Sequence, residues 1–378
     1  MKFDIEDPRV TAKKKKAKKK KNDRMFFITV ALLLLALILL VIYYVSLDST
    51  PVSNPPAPKV IQQSKLNIVN ENSNERPIAV MIDNNIGDIK HAGLQDSYIN
   101  YEMIVEGGLT RIMAIYKDKE VDLIGPVRSA RHYFLDYAME HNAVYAHYGW
   151  SPYAEKDIKD LDVNNINGMT DRSPFVRDTN IAAPHNVFTS TTKLRNYFSE
   201  KGYSQEVNNW RVLNYSYGEV NLQNEIDGIE ASTEVVEDES EDTSDNNNDN
   251  PANKVSLYYS NSQLRTYVYD SNNKYYLRYM NNKAHIDRAS NKQLHFKNII
   301  IVKVNNKNLD NEGRQDLDTI GSGDGYYITN GYMVPIKWEK DGRSSKSVYT
   351  TSNGEQIRVN DGNTFIQVVP VNSNIIIE

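Results

Sequence analysis

The chain of 378 residues contains no cysteine, and this absence excludes several classes of protein at once. Without a thiol there is no disulfide framework, no thiol nucleophile, no cysteine metal ligand and no cysteine to carry a lipid anchor. Long uncharged apolar runs are also scarce, since one such run occurs and it lies near the N-terminus. A folded part outside the cytoplasm must therefore depend on its hydrophobic core, for which roughly 300 residues are ample.

The apolar run from Met25 to Leu47 predicts one transmembrane helix, because a helix rising about 1.5 Å per residue covers a hydrocarbon core of ~30 Å at this length. Residues 1–24 hold eleven Lys or Arg, eight of them between Lys13 and Lys21. Positive charge stays on the cytoplasmic side, so residues 1–24 predict a basic cytoplasmic tail and the rest an extracytoplasmic location. A cleaved signal peptide is the alternative, but the run exceeds a usual apolar region and no A-x-A-like site follows it.

Charge is divided unevenly along the chain. The whole sequence carries minus 5, whereas residues 1–24 hold 11 basic and 4 acidic groups, or plus 7, which leaves minus 12 for the remainder. An acidic exterior lacks the basic stripe that phosphate-backbone recognition needs. We therefore predict no nucleic-acid partner.

Two stretches have the composition of connecting segments rather than of folded domains. Residues 48–74 contain four prolines and predict an extended tether. Residues 226–253 combine acidic residues with Ser, Thr and Asn, and predict an acidic disordered linker. They separate two predicted folded domains, residues 75–225 and residues 254–378.

The predicted fold class is α+β, with a mixed α/β N-terminal domain and a β-rich antiparallel C-terminal domain after one transmembrane helix. In the first domain the pattern predicts a strand over Ile78–Ile82, a helix over Ser129–Asn142 capped by Ser129, and a helix over Ser190–Lys201. The second domain reads as strands joined by turn signals such as Asn330-Gly331.

Gly107-Gly108 lies between two apolar segments and predicts a two-residue hairpin turn. In that register Glu102 opposes Met113 and Ile104 opposes Arg111, so that Arg111 lies diagonal to both Glu102 and Glu106 on one face. Two carboxylates beside an arginine indicate either a polar ligand site or an ion-pair network that organises the fold.

Arg128 and Arg131 flank the predicted helix start, where free N–H groups and the helix dipole favour anions. The planar guanidinium suits carboxylate or phosphate. The alternative is that both arginines pair with acidic residues of the chain, namely Asp83, Glu102 or Glu106.

Three further clusters could meet the arginines: His147 to Pro152, Arg177-Asp178, and Ala183 to Asn186. Ser151 with His185 and Asp178 could form a hydrolase triad, but no G-x-S-x-G elbow frames the serine. No H-E-x-x-H spacing and no glycine-rich phosphate loop is present, so neither a metal nor a cofactor is predicted. The ligand-binding candidates are Asp83, Glu102, Glu106, Arg111, Arg128, Arg131, His147, Asp178, His185 and Asn186.

These motifs together carry a resemblance. The segments Pro77 to Asn84, Glu106 to Arg111, Gly125 to Arg131 and Ala183 to Asn186 make the chain similar to the YerB-like family of extracytoplasmic lipoproteins, with N- and C-terminal YerB domains. The resemblance implies location and architecture, and the family has no established catalytic activity. Without a cysteine, a protein span would replace the lipid anchor here. Trp150 stands where the family typically has glycine, which narrows that turn.

Three hypotheses follow for this cell-envelope protein. The first is binding of an anionic wall component or a membrane protein partner. The second is an envelope hydrolase or transferase that uses the Asp, Glu and His residues of the N-terminal domain. The third is a purely structural or scaffold role, in which a membrane enzyme is the partner and the polar cluster is internal.

Overall fold

The computed structural model describes residues 24–25, 27–43, 65–85, 91–222 and 250–378. The chain forms two units, Met1–Gln62 and Gln63–Glu378. In the first unit, residues 24–25 and 27–43 are helical. Within the described ranges, no helix reaches the length and apolarity needed to cross a membrane. Positions 26 and 44–47 of the predicted span, positions 48–64 of the tether and positions 226–249 of the linker lie outside the described residues.

The second unit begins with alternating strands and helices. Its helices are α1 His132–Glu140, α2 Pro152–Asp160 and α3 Thr191–Glu200. Its strands up to residue 222 are β1 Ile78–Asp83, β2 Ile99–Ile104, β3 Thr110–Tyr116, β4 Val144–His147, β5 Asn165–Asn167, β6 Val176–Arg177, β7 Val187–Phe188 and β8 Tyr215–Ser216.

From residue 250 onward, the structured elements are all strands. They are β9 Lys254–Ser260, β10 Gln263–Asp270, β11 Tyr275–Met280, β12 Lys283–Ala284, β13 His295–Phe296, β14 Asn298–Val304, β15 Asn306–Asn308, β16 Gln315–Leu317, β17 Gly321–Thr329, β18 Tyr332–Lys340, β19 Val348–Thr350, β20 Val359–Asn360, β21 Thr364–Pro370 and β22 Asn374–Ile377.

One ten-stranded sheet runs through the second unit in the order β19-β18-β17-β14-β21-β2-β3-β1-β4-β5. At its centre a strand from the first region and a strand close to the C-terminus are neighbours, because β2 pairs in parallel with β21. A six-stranded sheet follows the path β12-β11-β10-β9-β22, with β13 paired to β11. Side chains of β10 and β11 reach β2, so the two sheets pack face to face there.

The mixed α/β character of the first region and the strand-rich character of the second are confirmed. The turn at Asn330-Gly331 is confirmed as well, since Thr329 opposes Tyr332 and both turn residues have positive φ. The second region is not purely antiparallel, because β14 and β21 run parallel. A parallel pair needs a crossover, and the strands between β14 and β21 supply it.

The predicted cap of the first helix is wrong. Helix α1 begins at His132, its N-cap is Arg131, and no side chain caps it. Ser129 lies in an extended segment, where the flanking Arg128 and Ala130 donate backbone hydrogen bonds to Met81 and Gly149. Because the backbone there is bound to neighbouring segments, the helix cannot start before residue 132. The Ser190 prediction is confirmed, since its side chain caps α3 by accepting from the Lys193 N–H.

The predicted hairpin register is also wrong, by one residue. Glu106 joins Gly107 and Gly108 in a short 3-10 turn, and the Val105 N–H closes the loop onto Leu109. Met103 therefore opposes Arg111, and Glu102 opposes Ile112. Since strand side chains alternate, one residue of slip moves Arg111 to the face opposite Glu102.

Candidate functional site

Asp83 is the point at which several predicted site residues meet. It ends β1, and Oδ2 of its buried carboxylate accepts a hydrogen bond from His185 Nδ1 at 2.6 Å. The same oxygen lies 3.0 Å from Nε of Arg128. Oδ1 accepts from the backbone N–H of Asn85 at 3.1 Å. Residues from three separate segments of the chain thus converge on one carboxylate.

The contact with Asp83 determines the tautomer of His185. An ionised carboxylate oxygen only accepts, so Nδ1 of His185 carries the hydrogen. Nε2 has no hydrogen-bond partner in the described part of the chain, and the side chain is 26% exposed. In the neutral ring, Nε2 therefore offers a free lone pair beside solvent.

Arg128 contacts Asp83 as a charge rather than through a directed hydrogen bond. Its Nε is 3.0 Å from the carboxylate, yet the geometry leaves Nε without a hydrogen bond. The short distance and the missing hydrogen bond are compatible because the Nε–H bond of Arg128 does not point at the Asp83 oxygen. The side chain is 25% exposed, and its two terminal nitrogens have no acceptor among the described residues. Arg128 therefore keeps unused donors.

An open cleft of about 530 Å³ adjoins this group, a volume within the range typical of small-molecule sites. Its described lining contains no Asp or Glu. Its lining includes Arg128, Tyr148, Trp150, Met169, Arg177 and Pro184. The cleft thus combines two guanidinium groups with apolar and aromatic walls. Trp150, which the sequence suggests narrows this turn, is part of the wall.

Arg177 is the second cation of the cleft. Its guanidinium carbon lies 4.9 Å from the centre of the Tyr148 ring, and Nη1 donates to Asn186 Oδ1 at 2.6 Å. Asn186 in turn donates to the carbonyl of Asp178 at 3.2 Å. Asn186, a predicted ligand residue, is buried and positions Arg177 instead. No carboxylate pairs with Arg177 in the described ranges, so its charge is available to a ligand.

Both predicted arginines lie beside acids of the chain, as the alternative interpretation had it, but Arg131 is held more completely than Arg128. Arg131 forms a two-point contact with Glu106, with Nε 2.5 Å from Oε1 and Nη2 2.7 Å from Oε2. Burial by itself raises the pKa of the Glu106 carboxyl, but the hydrogen bonds and charge of Arg131 outweigh burial and lower that pKa. Arg111 donates to the carbonyl of Ser129 at 2.6 Å, and burial together with the charge of Arg131 lowers its pKa to about 10. Neither Arg131 nor Arg111 lines the cleft as described.

Glu102 belongs to a closed network of ion pairs, on the face of the ten-stranded sheet opposite to Arg111. Its carboxylate accepts from Arg265 Nε and from Arg278 Nη2, each at 2.6 Å, and all three side chains are fully buried. Burial raises the pKa of Glu102, but the charges of the two arginines prevail and lower it to about 2. Asn84 and Thr110 each donate to Oε1 at 2.7 Å. The ion-pair alternative is thus the correct one for Glu102.

Two buried histidines connect that network to Asp83. Arg278 donates to Nδ1 of His285, so Nε2 of His285 carries the hydrogen and donates to Nδ1 of His91 at 2.7 Å. Nε2 of His91 then donates to the backbone carbonyl of Asp83 at 2.6 Å. Burial lowers the pKa of His91 to about 4, and burial with the charge of Arg278 lowers that of His285 well below its ordinary range. Both rings are therefore neutral at neutral pH.

The other predicted residues have local roles. His147 is buried and donates from Nδ1 to the carbonyl of Gly149 at 2.8 Å, and burial lowers its pKa to about 4. Asp178 pairs with Arg288 at 2.5 Å, and that hydrogen bond lowers the pKa of Asp178. Ser151 caps α2 by accepting from the Ala154 N–H. The triad of Ser151, His185 and Asp178 is thus not formed.

The structure brings Asp83, Arg128 and His185 of the predicted set into contact, but sequence reasoning misses the partners that decide the other candidates. Arg265, Arg278 and Arg288 all lie more than 100 positions from the acid each one binds. The local signals there predict strands and turns.

Comparisons with known proteins agree with the resemblance. Residues 65–204 match the model described as "Protein of unknown function (DUF3048) N-terminal domain", and residues 255–366 match its C-terminal counterpart. The chain is 28% identical over 299 residues to "Putative lipoprotein YerB" of Bacillus subtilis (strain 168), covering 78% of this chain and 81% of that protein. It is also similar to the crystal structure of YerB protein from Bacillus subtilis, with a TM-score of 0.66, 26% identity, and coverage of 80% of this chain and 94% of that one.

Proposed function

Because this chain belongs to the YerB-like DUF3048 family, whose function is unknown, we propose a role from its own cleft. The protein is a membrane-anchored, extracytoplasmic component of the cell envelope that binds an anionic wall component. The anion is held between Arg128 and Arg177.

One observation carries this proposal. Two arginines with unused donors line an open cleft that has no carboxylate in its described lining. Arg177 has no acidic partner in the described ranges, and Arg128 keeps both terminal nitrogens free. Guanidinium groups with unused donors in a concave site attract carboxylate or phosphate, with which they form short, charge-assisted hydrogen bonds.

The remaining walls indicate the body that carries the anion. Tyr148, Trp150 and Met169 supply flat or flexible apolar surface. Aromatic rings suit a ligand with one apolar face and a polar edge. A sugar ring that bears an oxyanion meets both requirements, whereas a small inorganic anion would leave the apolar walls unused.

The proposed location rests on the N-terminal segment. The uncharged run Met25–Leu47 follows eight lysines between Lys13 and Lys21, and the related Bacillus subtilis protein has "lipoprotein" in its name. Alkaline phosphatase fused after residue 378 should be active in a bacterial host, because that enzyme works only outside the cytoplasm. Fluorescence of green fluorescent protein fused at the same position would contradict this orientation.

The binding test uses the full-length chain in detergent micelles, titrated calorimetrically with glucose 6-phosphate, glucose 6-sulfate and uncharged glucose. We expect both anionic sugars to bind. Arg177→Gln and Arg128→Gln should each weaken binding about tenfold or more, since a hydrogen bond to a charged group contributes about 1.5–3 kcal/mol.

Arg172→Gln is the matched control, because Arg172 is exposed, lies on the same segment as Arg177 and has no side-chain partner among the described residues. It should bind like the wild type. If the wild type bound neither anionic sugar, or if Arg177→Gln bound as tightly as Arg172→Gln, the proposed function would be refuted.

An envelope hydrolase or transferase is the second candidate, and the Asp83–His185 pair favours it, since a carboxylate-oriented imidazole with a free Nε2 is suited to general-base chemistry. The other two acids of that hypothesis do not support it. Glu102 is sealed between arginines, and Glu106 is engaged by Arg131. Release of inorganic phosphate from glucose 6-phosphate, lost in His185→Gln, would favour the hydrolase over the binding protein.

A further inference from the structure

His185 is not among the residues that line the cleft, but it is the direct neighbour of two that do, Pro184 in the chain and Arg128 in space. The side chains of His185 and Arg128 contact the same oxygen of Asp83, at 2.6 Å and 3.0 Å, so the imidazole and the guanidinium are neighbours. Pro184, the residue before His185, is part of the cleft wall. A ligand held by the free nitrogens of Arg128 therefore comes close to the His185 ring.

The protonation state of His185 decides whether its free nitrogen attracts or repels an anion. Nδ1 already donates to Asp83, so the neutral ring presents the lone pair of Nε2. A lone pair and an oxyanion repel each other. The protonated ring presents an N–H at Nε2 and adds a positive charge, so it would donate to the anion.

The groups around His185 carry more positive than negative charge. Asp83 on β1 favours the protonated ring, whereas Arg128 opposes it. Arg111 on β3, which pairs with Asp83 across the strands, and Arg177 on β6 add positive charge. Asp178 is held by Arg288, so these two charges largely cancel.

His91 does not compete for the proton. It donates to the backbone carbonyl of Asp83, and its own pKa lies at about 4. An anion entering between Arg128 and Arg177 would offset the positive charges that oppose protonation of His185. By linkage, the anion and the proton then strengthen each other's binding.

We propose that His185 is the third contact to the ligand, and that it takes up a proton when an oxyanion binds to Arg128 and Arg177. This inference rests on the proposed function and deepens it. The ligand class is an organic phosphate, sulfate or carboxylate with at least three accessible acceptor positions, bound more tightly in mild acid. A neutral sugar cannot drive the proton uptake.

The test measures protons taken up during binding. Glucose 6-sulfate is the probe, because its sulfate does not titrate near neutral pH and any proton must go to the protein. The full-length chain is titrated at pH 7 in buffers that differ in ionisation enthalpy. The slope of observed enthalpy against ionisation enthalpy then gives the number of protons.

We expect the wild type to take up a measurable fraction of one proton per ligand, and its Kd to fall between pH 8 and pH 6. His185→Gln should bind more weakly, with no uptake and no pH dependence over this interval. His295→Gln is the matched control, because His295 stacks on Tyr275 away from the cleft, and it should keep the uptake.

The outcomes separate the two proposals. Binding of glucose 6-sulfate by the wild type without proton uptake, or uptake that persists in His185→Gln, overturns the role of His185 and leaves the anion site standing. Failure of the wild type to bind either anionic sugar refutes the anion site itself. Should His185→Gln fail to fold, imidazole ¹⁵N spectra of the wild type decide, since the chain has seven histidines. A ring that does not shift toward the protonated form on adding sulfate ester then overturns the inference.

Discussion

Arg278 donates to Glu102 at 2.6 Å although 176 positions separate them, and both side chains are fully buried. The pair joins β11 of the six-stranded sheet to β2 of the ten-stranded sheet. Arg265 on β10 makes a second ion pair with the same carboxylate. The interface between the two sheets therefore contains one negative and two positive charges, all away from water.

Removing the acid from this network should destabilise the protein strongly. Glu102→Gln leaves two buried guanidinium groups without their carboxylate, and breaking a buried pair costs about 3–5 kcal/mol. We expect that loss in the free energy of unfolding, measured by urea titration of the full-length chain. Glu339→Gln makes the same chemical change at an exposed strand position and should change stability by less than about 0.5 kcal/mol. Equal effects from the two variants would show that the network contributes little.

As the pH is lowered, the free energy of unfolding should begin to decrease at a pH above the range in which carboxylates take up protons. Burial lowers the pKa of His91 and His147 to about 4, so the folded state favours the neutral rings. Their contribution is complete above the ordinary histidine pKa of about 6.5 and is lost as pH falls towards 4, amounting to roughly 3 kcal/mol for each ring.

Glu102 extends this loss into stronger acid. The pKa of Glu102 in the folded protein is about 2, below the ordinary value of about 4.3. Its contribution to the free energy of unfolding is therefore fully present above a pH of about 4.3 and is lost as the pH falls towards 2. Urea midpoints at pH 8, 6, 5 and 4 should fall from pH 6 onward, and less steeply in His147→Gln. A midpoint that stays constant from pH 8 to pH 5 would argue against neutral buried histidines.

Arg131 and Arg128 should behave differently although only two residues separate them. Arg131→Gln breaks the two-point contact with Glu106 and should lower the free energy of unfolding by about 2 kcal/mol, because hydrogen bonds to charged groups contribute about 1.5–3 kcal/mol. It should leave binding of glucose 6-sulfate within about threefold of the wild type. Arg128→Gln should weaken binding of glucose 6-sulfate about tenfold or more. It should lower the free energy of unfolding less than Arg131→Gln does. The distinction fails if Arg131→Gln weakens binding more than Arg128→Gln does.

Gly325 should tolerate no side chain. A Cβ built there would approach the carbonyl oxygen of Ile301 on the paired strand β14 well inside the 3.0 Å that real Cβ atoms keep. We expect Gly325→Ala to cost about 1–3 kcal/mol or more, because the sheet backbone must shift. Gly218→Ala is the control, since no atom lies within 4 Å of its added Cβ. Matching melting temperatures for the two variants would contradict the close approach of β14 and β17.

Local sequence signals predict much of the secondary structure. The strand at β1, the helix capped by Ser190 and the turn at Asn330-Gly331 each depend on short-range preferences, and the structure confirms all three. The Ser129 cap is one exception. Capping chemistry is present in the sequence, but hydrogen bonds from the flanking residues to segments distant in sequence hold that stretch extended.

Local sequence signals predict only part of the candidate site. The convergence of Arg128 and His185 on Asp83 agrees with the predicted set, yet Arg111 and Glu102 lie on opposite faces. A turn made of Gly107-Gly108 alone is one residue shorter than a turn that also includes Glu106. This difference shifts the strand register by one residue and moves every side chain of the strand to the opposite face. Turn propensity does not resolve so small a difference.

The sequence by itself determined the charge asymmetry about the N-terminal apolar run, the mixed first region, the strand-rich second region and the family, because composition, periodicity and motifs are properties of the linear chain. The tertiary structure alone decided which arginines are free. Arg131 is bound by Glu106, and Glu102 is bound by Arg265 and Arg278. Arg177 has no acidic partner in the described ranges, and Arg128, although beside Asp83, keeps its terminal nitrogens unused. Ion pairing depends on distances of a few ångströms between side chains far apart in sequence, and only the packing of the two sheets sets those distances.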